Sequence, residues 1–436
     1  MEIKKLLTQS IFWRVLNVTS LLVMNIFLSR YLQAANMGWI FFLINTFSLV
    51  LLVMSLSMES GITFFASSNT ISKNRLVYFS LVWAVVITAL TLAGAFIYFK
   101  INSIKENLEF EYLFFAICFI LGSLLANCFT ALFYAGRNYA IPNIILFSTN
   151  VILIIIIVRS GSVNSKAPDA IINLYFLYFL VQGLLLAIAY MVQYKSLSDI
   201  GFISSAEMKL LFRYSIAALM ANVLFFLVYR VDYWFVEYYC SKQALGNYIQ
   251  ASKLGQFLLL IPNMIAGTVF PETARKENAG TNLIIPFISR CLSLFFIVLT
   301  VVLSVCGKWL FVFLFGPSFS LMYAVIIILL PGILALSILA MLSAYLAGRN
   351  NIPANMKGSF FTLLIIVAGD MLLIPKFGIN AAAIVSSLGY IFHLFYNIWQ
   401  YRKYHMEPWT DFLVPKKQDF KKIKIIISDF LANKHF

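Results

Sequence analysis

Apolar residues fill the chain in long runs broken by short polar gaps, from near residue 10 to near residue 400. The pattern predicts twelve membrane spans, near 10–30, 37–58, 77–99, 112–135, 141–159, 171–194, 209–230, 246–270, 285–306, 322–346, 354–375 and 379–400. Each is close to the length needed, because about 20 helical residues cross a hydrocarbon core of about 30 Å. The longest gaps, around 59–76 and 271–284, read as short polar connections with no room for a folded soluble domain. The first run follows Lys4 and Lys5, carries Arg14 and ends at Arg30 without a small-residue cleavage site. It therefore reads as a first membrane helix and not as a cleaved leader.

The runs also repeat. Ala135-Gly136-Arg137-Asn138, followed by Ile141-Pro142-Asn143, returns as Ala347-Gly348-Arg349-Asn350, followed by Ile352-Pro353 and Asn355. Phe12-Trp13-Arg14 parallels Leu211-Phe212-Arg213, and Met37-Gly38-Trp39-Ile40 parallels Leu245-Gly246-Asn247-Tyr248. The matches keep their order, and their offsets grow only slowly along the chain. The division they imply is a six-helix lobe over 1–200, a second over 201–401 and a basic tail over 402–436. With an even number of spans, both lobes share one orientation, as in transporters built from parallel repeats.

Composition agrees with the pattern. Hydrophobic residues are 62% of the 436 and charged residues 11%, against about 25% charged in soluble domains. The Lys and Arg residues favour the connections on the side of the N-terminus, and many lie in the tail, so both termini are expected in the cytoplasm. In the tail, Phe420, Ile423, Ile427, Phe430 and Leu431 recur at helical spacing among Lys421, Lys422 and Lys424. Such a segment either lies on the anionic leaflet as an amphipathic helix or stays solvated. The net charge of +15 thus points to membrane lipids and topology, not to nucleic acid. The five cysteines form no CxxC pair and the three histidines are scattered, so no metal site and no cofactor are expected.

Several segments in order resemble the polysaccharide-biosynthesis, Wzx-type oligosaccharide flippase family of the multidrug/oligosaccharidyl-lipid/polysaccharide (MOP) exporter superfamily. They are Ser29-Arg30-Tyr31-Leu32 leading to Met37-Gly38, Val231-Asp232-Tyr233-Trp234 with Leu245 to Leu254, and Ile261-Pro262 through Phe270-Pro271. Two more are Leu314-Phe315-Gly316 through Ala347-Gly348-Arg349, and Leu373-Ile374-Pro375-Lys376-Phe377-Gly378 through Ala383. Each motif is loose, and the order carries the specificity. The exit after Leu32 lacks the family's Gly-Pro step, and Asp370 stands where similar sequences often carry Asn. The resemblance implies an all-α polytopic fold with two lobes facing a central cavity, which rocks to carry an undecaprenyl-pyrophosphate-linked repeat unit of O-antigen, capsule or exopolysaccharide across the inner membrane without ATP. A polysaccharide polymerase or other assembly proteins stand as candidate partners. In accord with this, the chain carries no GxxxxGK[ST] phosphate loop.

A diphosphate headgroup cannot cross hydrocarbon unaided, so fixed cations within spans are the first place to look for a site. Arg14 and Arg213 occupy equivalent places in the first and seventh spans, and Lys253 lies inside the eighth. Each also has a plain reading as a side chain reaching the interface. Among acids, Asp370 within the eleventh span and Glu59 at the end of the second are candidates for ion coupling, with an internal hydrogen bond as the alternative for Asp370. Asp232 reads as a local partner of Arg230, and Arg290 as a topological charge. Two other functions compete. A multidrug or metabolite antiporter of the same superfamily would favour an acid-rich cavity. A membrane-embedded polymerase or ligase would resemble enzymes with a large periplasmic loop, for which these gaps are too short.

Overall fold

The structure, a computed structural model, describes residues 2–101, 106–163, 168–194, 201–274, 279–404 and 408–420. The described elements are helical: α1 (Glu2–Met54), α2 (Met58–Ser67), α3 (Lys73–Ile101), α4 (Glu106–Ala135), α5 (Ala140–Val163), α6 (Pro168–Tyr194) and α7 (Ser205–Arg230). There follow α8 (Asp232–Tyr239), α9 (Lys242–Leu258), α10 (Leu260–Ala274), α11 (Ala279–Phe315), a 3-10 turn (Pro317–Phe319), α12 (Met322–Gly348), α13 (Ile352–Tyr401) and α14 (Thr410–Leu413). The chain divides into two compact units. The first holds Met1–Gln33 and Ile40–Val223, and the second holds Ala34–Trp39 and Leu224–Phe436.

Among the described residues, nine helices are long and apolar enough to cross a membrane. Two of them contain two predicted spans each. α1 breaks at Gln33 (φ 62, ψ 173) and α13 at Gly378 (φ 62, ψ −147). The predicted eighth span, 246–270, is not one helix but is shared by α9 and α10. The reason is visible in its residues: α9 carries Asn247, Gln250, Ser252, Lys253 and Gln256, and Pro262 sits in the first turn of α10, where its missing N–H breaks no helical bond. Nor is the predicted connection after residue 58 a loop throughout. The second span breaks at Leu56 and Ser57 (φ 54 and 51), then resumes as α2.

The apolar pattern is turned outward, as a bilayer requires. In α11, Val298, Val301, Val302 and Val305 follow helical spacing, and all four are exposed; α5 presents Ile152, Ile155, Ile156 and Val158 likewise. Lipid is as apolar as these side chains, so close packing and internal hydrogen bonds hold the helices together.

In the first unit, α4 and α6 cross backbone to backbone. A Cβ on Gly122 would lie 2.2 Å from the carbonyl oxygen of Phe179, and one on Gly183 2.2 Å from that of Gly122. Phe115 and Phe176 stack beside the crossing at 4.2 Å. A neutral polar network ties α1, α5 and α6: Tyr178 donates to Asn150, whose amide donates to Ser20 (2.7 Å) and Asn17 (3.2 Å). α7 opens with a reciprocal cap, Ser204 N–H to Glu207 (2.8 Å) and Glu207 N–H to Ser204 Oγ (3.3 Å). The same carboxylate takes two bonds from Arg75, at 2.9 and 3.0 Å.

In the second unit, α12 is central, with most of its side chains buried from Met322 to Leu346. Pro331 interrupts its bonding, and the Ser387 hydroxyl donates to the nearby Ile328 carbonyl at 2.8 Å. The described part of the tail is folded onto α11. Arg290, expected to be only a topological charge, is buried and grips both Asp419 oxygens (2.7 and 2.9 Å) and the Asp411 carbonyl (2.8 Å). Phe412 is fully buried against Tyr401. Of the periodic tail residues only Phe420 is described, and it is exposed; the others lie outside the described residues.

The duplicated turns share one geometry. Asn138 N–H bonds the Phe133 carbonyl and Arg137 N–H that of Tyr134; Asn351 and Asn350 do the same to Leu346 and Ala347. Both are Schellman ends with a left-handed residue, Arg137 (φ 58) in one and Asn350 (φ 60) in the other. The sequence repeat, which pairs Arg137 with Arg349, is therefore displaced by one residue in the backbone. Asn143 and Asn355 keep their pairing: each is buried and its amide reaches back across its turn, to Tyr134 Oη (2.9 Å) and to the Ser343 carbonyl (2.9 Å).

Candidate functional site

α7 ends at Arg230, the chain passes Val231, and α8 begins at Asp232 in nearly the same direction, so the apolar stretch runs on from Ser205 to Tyr239. This continuation carries Asp232 into the interior, where it is 1% exposed. Its Oδ2 accepts from the Tyr248 hydroxyl and from Ser386 Oγ (3.0 Å). Its Oδ1 has no hydrogen-bond partner among the described residues. Arg230, the expected partner, instead lies over the Phe226 ring, 4.9 Å from its centroid. The expected local pair is thus replaced by a longer-range one, because the helical path points the two side chains in different directions.

Asp370 is fully buried on α13, before the Gly378 break, whereas Ser386 lies after it. Neither Asp370 oxygen makes a hydrogen bond among the described residues, and the carboxyl lies within electrostatic range of Asp232 and Tyr248. Three buried carboxyl oxygens without protein partners favour a proton, a bound water or a bound cation beside them. The donors here are carboxyl, hydroxyl and phenol oxygens, which suit a proton or a hard cation such as sodium. Among the described residues no cluster of three or more His, Cys, Asp or Glu is present to hold a metal.

Asp232 also lines a small recess inside the second unit. Ser252 and Gln256 of α9 form its polar wall, Leu336 an apolar one, and Tyr229 and Tyr390 an aromatic one. Tyr233 steadies the polar wall by donating to Ser252 Oγ at 2.8 Å.

The predicted cations divide between the units. Arg14 is exposed on the first unit, its guanidinium 4.9 Å from the centroid of Tyr134, and Arg213 is exposed on the same unit. Lys253 is half-buried in the second unit, within electrostatic range of Arg230. Glu59, half-buried, opens α2 directly after the Leu56–Ser57 break rather than closing a span. That break is supported by Trp83 Nε1 on the Ser55 carbonyl (3.3 Å) and Asn222 on Ser57 Oγ (3.2 Å).

No protein-family model and no curated protein matches the chain. Solved structures do. The Vibrio cholerae MATE transporter VcmN in its bent form superposes with a TM-score of 0.62 at 13% identity, over 92% of this chain and 96% of that one. The lipid II flippase MurJ in an inward closed conformation gives 0.68 at 14% identity, over 98% and 92%. A MOP superfamily transporter from Pyrococcus furiosus gives 0.62 at 12%, over 92% and 95%. The chain shares the fold of these structures.

Within this fold, the sequence pointed to Asp370 as an ion-coupling candidate but not to Asp232, Tyr248 or Ser386. Asp232 was hidden by a span boundary drawn at Arg230. Its sequence signals are its place in the segment Val231-Asp232-Tyr233-Trp234 and a carboxylate between the apolar residues of 224–229 and the aromatic Tyr233-Trp234-Phe235.

Proposed function

We propose that the chain is a flippase for a lipid-linked oligosaccharide, carrying an undecaprenyl-pyrophosphate-linked repeat unit across the bacterial inner membrane by alternating access. Both termini face the cytoplasm in this reading, and the process is transport without group transfer. What supports it is the set of cations these helices carry: Arg14 and Arg213, exposed on the first unit, and Lys253, half-buried on α9. A diphosphate headgroup is a charge-assisted hydrogen-bond partner for such cations. Arg14 and Arg213 serve the headgroup on the first unit. The likeness to a lipid II flippase supports a substrate with a lipid tail. Occupancy of the Asp232–Asp370 pair by a cation or proton supplies the driving force, a role in which Glu59 is the first unit's candidate.

The test is complementation of a flippase-deficient strain, with surface polysaccharide, lipid-linked precursor and membrane abundance measured together. Lys253→Ala should lose export at normal abundance while precursor accumulates, since a charge-assisted contact contributes about 1.5–3 kcal/mol. Lys253→Arg should retain more activity, because it keeps the charge. Wild-type export by the Arg14→Ala, Arg213→Ala and Lys253→Ala variants alike would end this reading. A MATE-like antiporter is the second reading, favoured by Asp232 lying beside Tyr229 and Tyr390 in one recess, groups that attract a cation. Asp232-dependent efflux of a cationic dye, without restored polysaccharide, would select it.

A further inference from the structure

The inference rests on reading Asp232 and Asp370 as the ion site. It concerns α9, which is held on two faces by consecutive residues. At 3.6 residues per turn, positions 246 and 248 point in nearly opposite directions. On one face, Gly246 meets the segment Ala34–Trp39 backbone to backbone. A Cβ at Gly246 would fall 1.8 Å from the Ala34 carbonyl oxygen, and one at Gly38 would fall 2.6 Å from the Gly246 nitrogen. On the other face, the Tyr248 hydroxyl donates to Asp232. Between them, the Asn247 amide donates to the Ser318 carbonyl (2.9 Å), and its oxygen accepts from Met322 N–H (2.8 Å). Ser318 Oγ closes the circuit by accepting from Ala34 N–H at 3.1 Å.

This arrangement has little slack. Gly246 has no side chain that could turn aside, and Tyr248 and Asn247 are fully buried. The segment they hold is grouped with the second unit, although the chain on both sides of it, through Gln33 and from Ile40, is grouped with the first. A proton or cation on Asp232 also weakens that carboxylate as an acceptor for the Tyr248 hydroxyl, so occupancy changes the force on one face of α9.

We propose that α9 transmits occupancy of the carboxylate pair to the Ala34–Trp39 strap, with Tyr248 as the positioning residue and the Gly246–Ala34 contact as the output. Ion state in the second unit is thereby reported to the connection between the first two spans.

The test is hydrogen–deuterium exchange of the peptide covering Ala34–Trp39 in the whole purified protein in lipid nanodiscs. Sodium chloride is compared with choline chloride across a pH series, and thermal unfolding in the same buffers reports binding. In the wild type, exchange of the strap should change about five-fold or more between the occupied and empty conditions. Tyr248→Phe should keep the binding-dependent thermal shift and lose the exchange response. Asp232→Asn should hold the strap at one exchange rate in every buffer, which keeps the idea testable if Tyr248→Phe does not fold. Ser318→Ala should raise strap exchange in all buffers without altering the thermal shift. A strap that ignores an ion the wild type demonstrably binds, or that still responds in Tyr248→Phe or Asp232→Asn, overturns the transmission role. If neither sodium nor pH produces a thermal shift that Asp232→Asn removes, the ion-site reading itself fails and the inference falls with it.

Discussion

Arg290 and Asp419 illustrate what a single residue decides in this protein. Their side chains are 9% and 5% exposed, and the guanidinium meets both carboxylate oxygens. Breaking a buried pair on one side leaves a charge without compensation, which costs about 3–5 kcal/mol. Asp419→Asn should therefore lower the unfolding midpoint in detergent clearly, and the double change Arg290→Met with Asp419→Leu should recover most of the loss. A midpoint unmoved by Asp419→Asn would mean that the tail segment does not stay docked on α11. At this scale the sequence revealed charges but not their partners. Asp370 stands out as an acid within an apolar run, yet Arg290 and Asp419 are 129 residues apart and nothing local links them. Asp232 has an equally remote partner in Ser386, 154 residues away, and so its neighbour Arg230 looked like the obvious choice.

At the scale of elements, run length was legible because bilayer thickness fixes it, and interruptions were not. The break in α13 falls at a glycine after Pro375, but those in the first half fall at Gln33 and at Leu56–Ser57, residue types with no breaker signal. Tertiary contacts hold them there: Trp83 and Asn222 at the second break, Ser318 on Ala34 N–H just after the first. The division of α9 from α10 is better marked, by the polar face of α9 and by Pro262. The duplicated turns give a test of local strain. A left-handed conformation costs an ordinary residue about 1–2 kcal/mol, and Asn bears it more easily than Arg. Arg137→Gly should thus raise the unfolding midpoint, whereas Asn350→Gly should move it less. A lower midpoint for Arg137→Gly would show that the guanidinium contributes more than the turn conformation costs.

For the molecule as a whole, the repeated Ala-Gly-Arg-Asn segments end in the same kind of turn, and Asn143 and Asn355 each tie a helix to its predecessor across it. Orientation is the remaining expectation at this scale. With positive residues retained inside, cysteines placed at Lys73 and Arg349 should react with a membrane-impermeant maleimide only after permeabilisation, and one at Lys308 should react in intact cells. Labelling at Lys73 from outside would reverse the topology. The strap at Ala34–Trp39 has a further consequence, for how the chain is made. Its packing surface on Gly246 is encoded far downstream, and ribosomes add about 5–20 residues per second. The first helical pair therefore enters the bilayer about 10–40 s before α9 is synthesised at that rate. During that interval Ala34, Met37 and Gly38, all buried in the finished protein, wait for a surface that does not yet exist, and the missing side chain at position 246 is what lets that surface close on them.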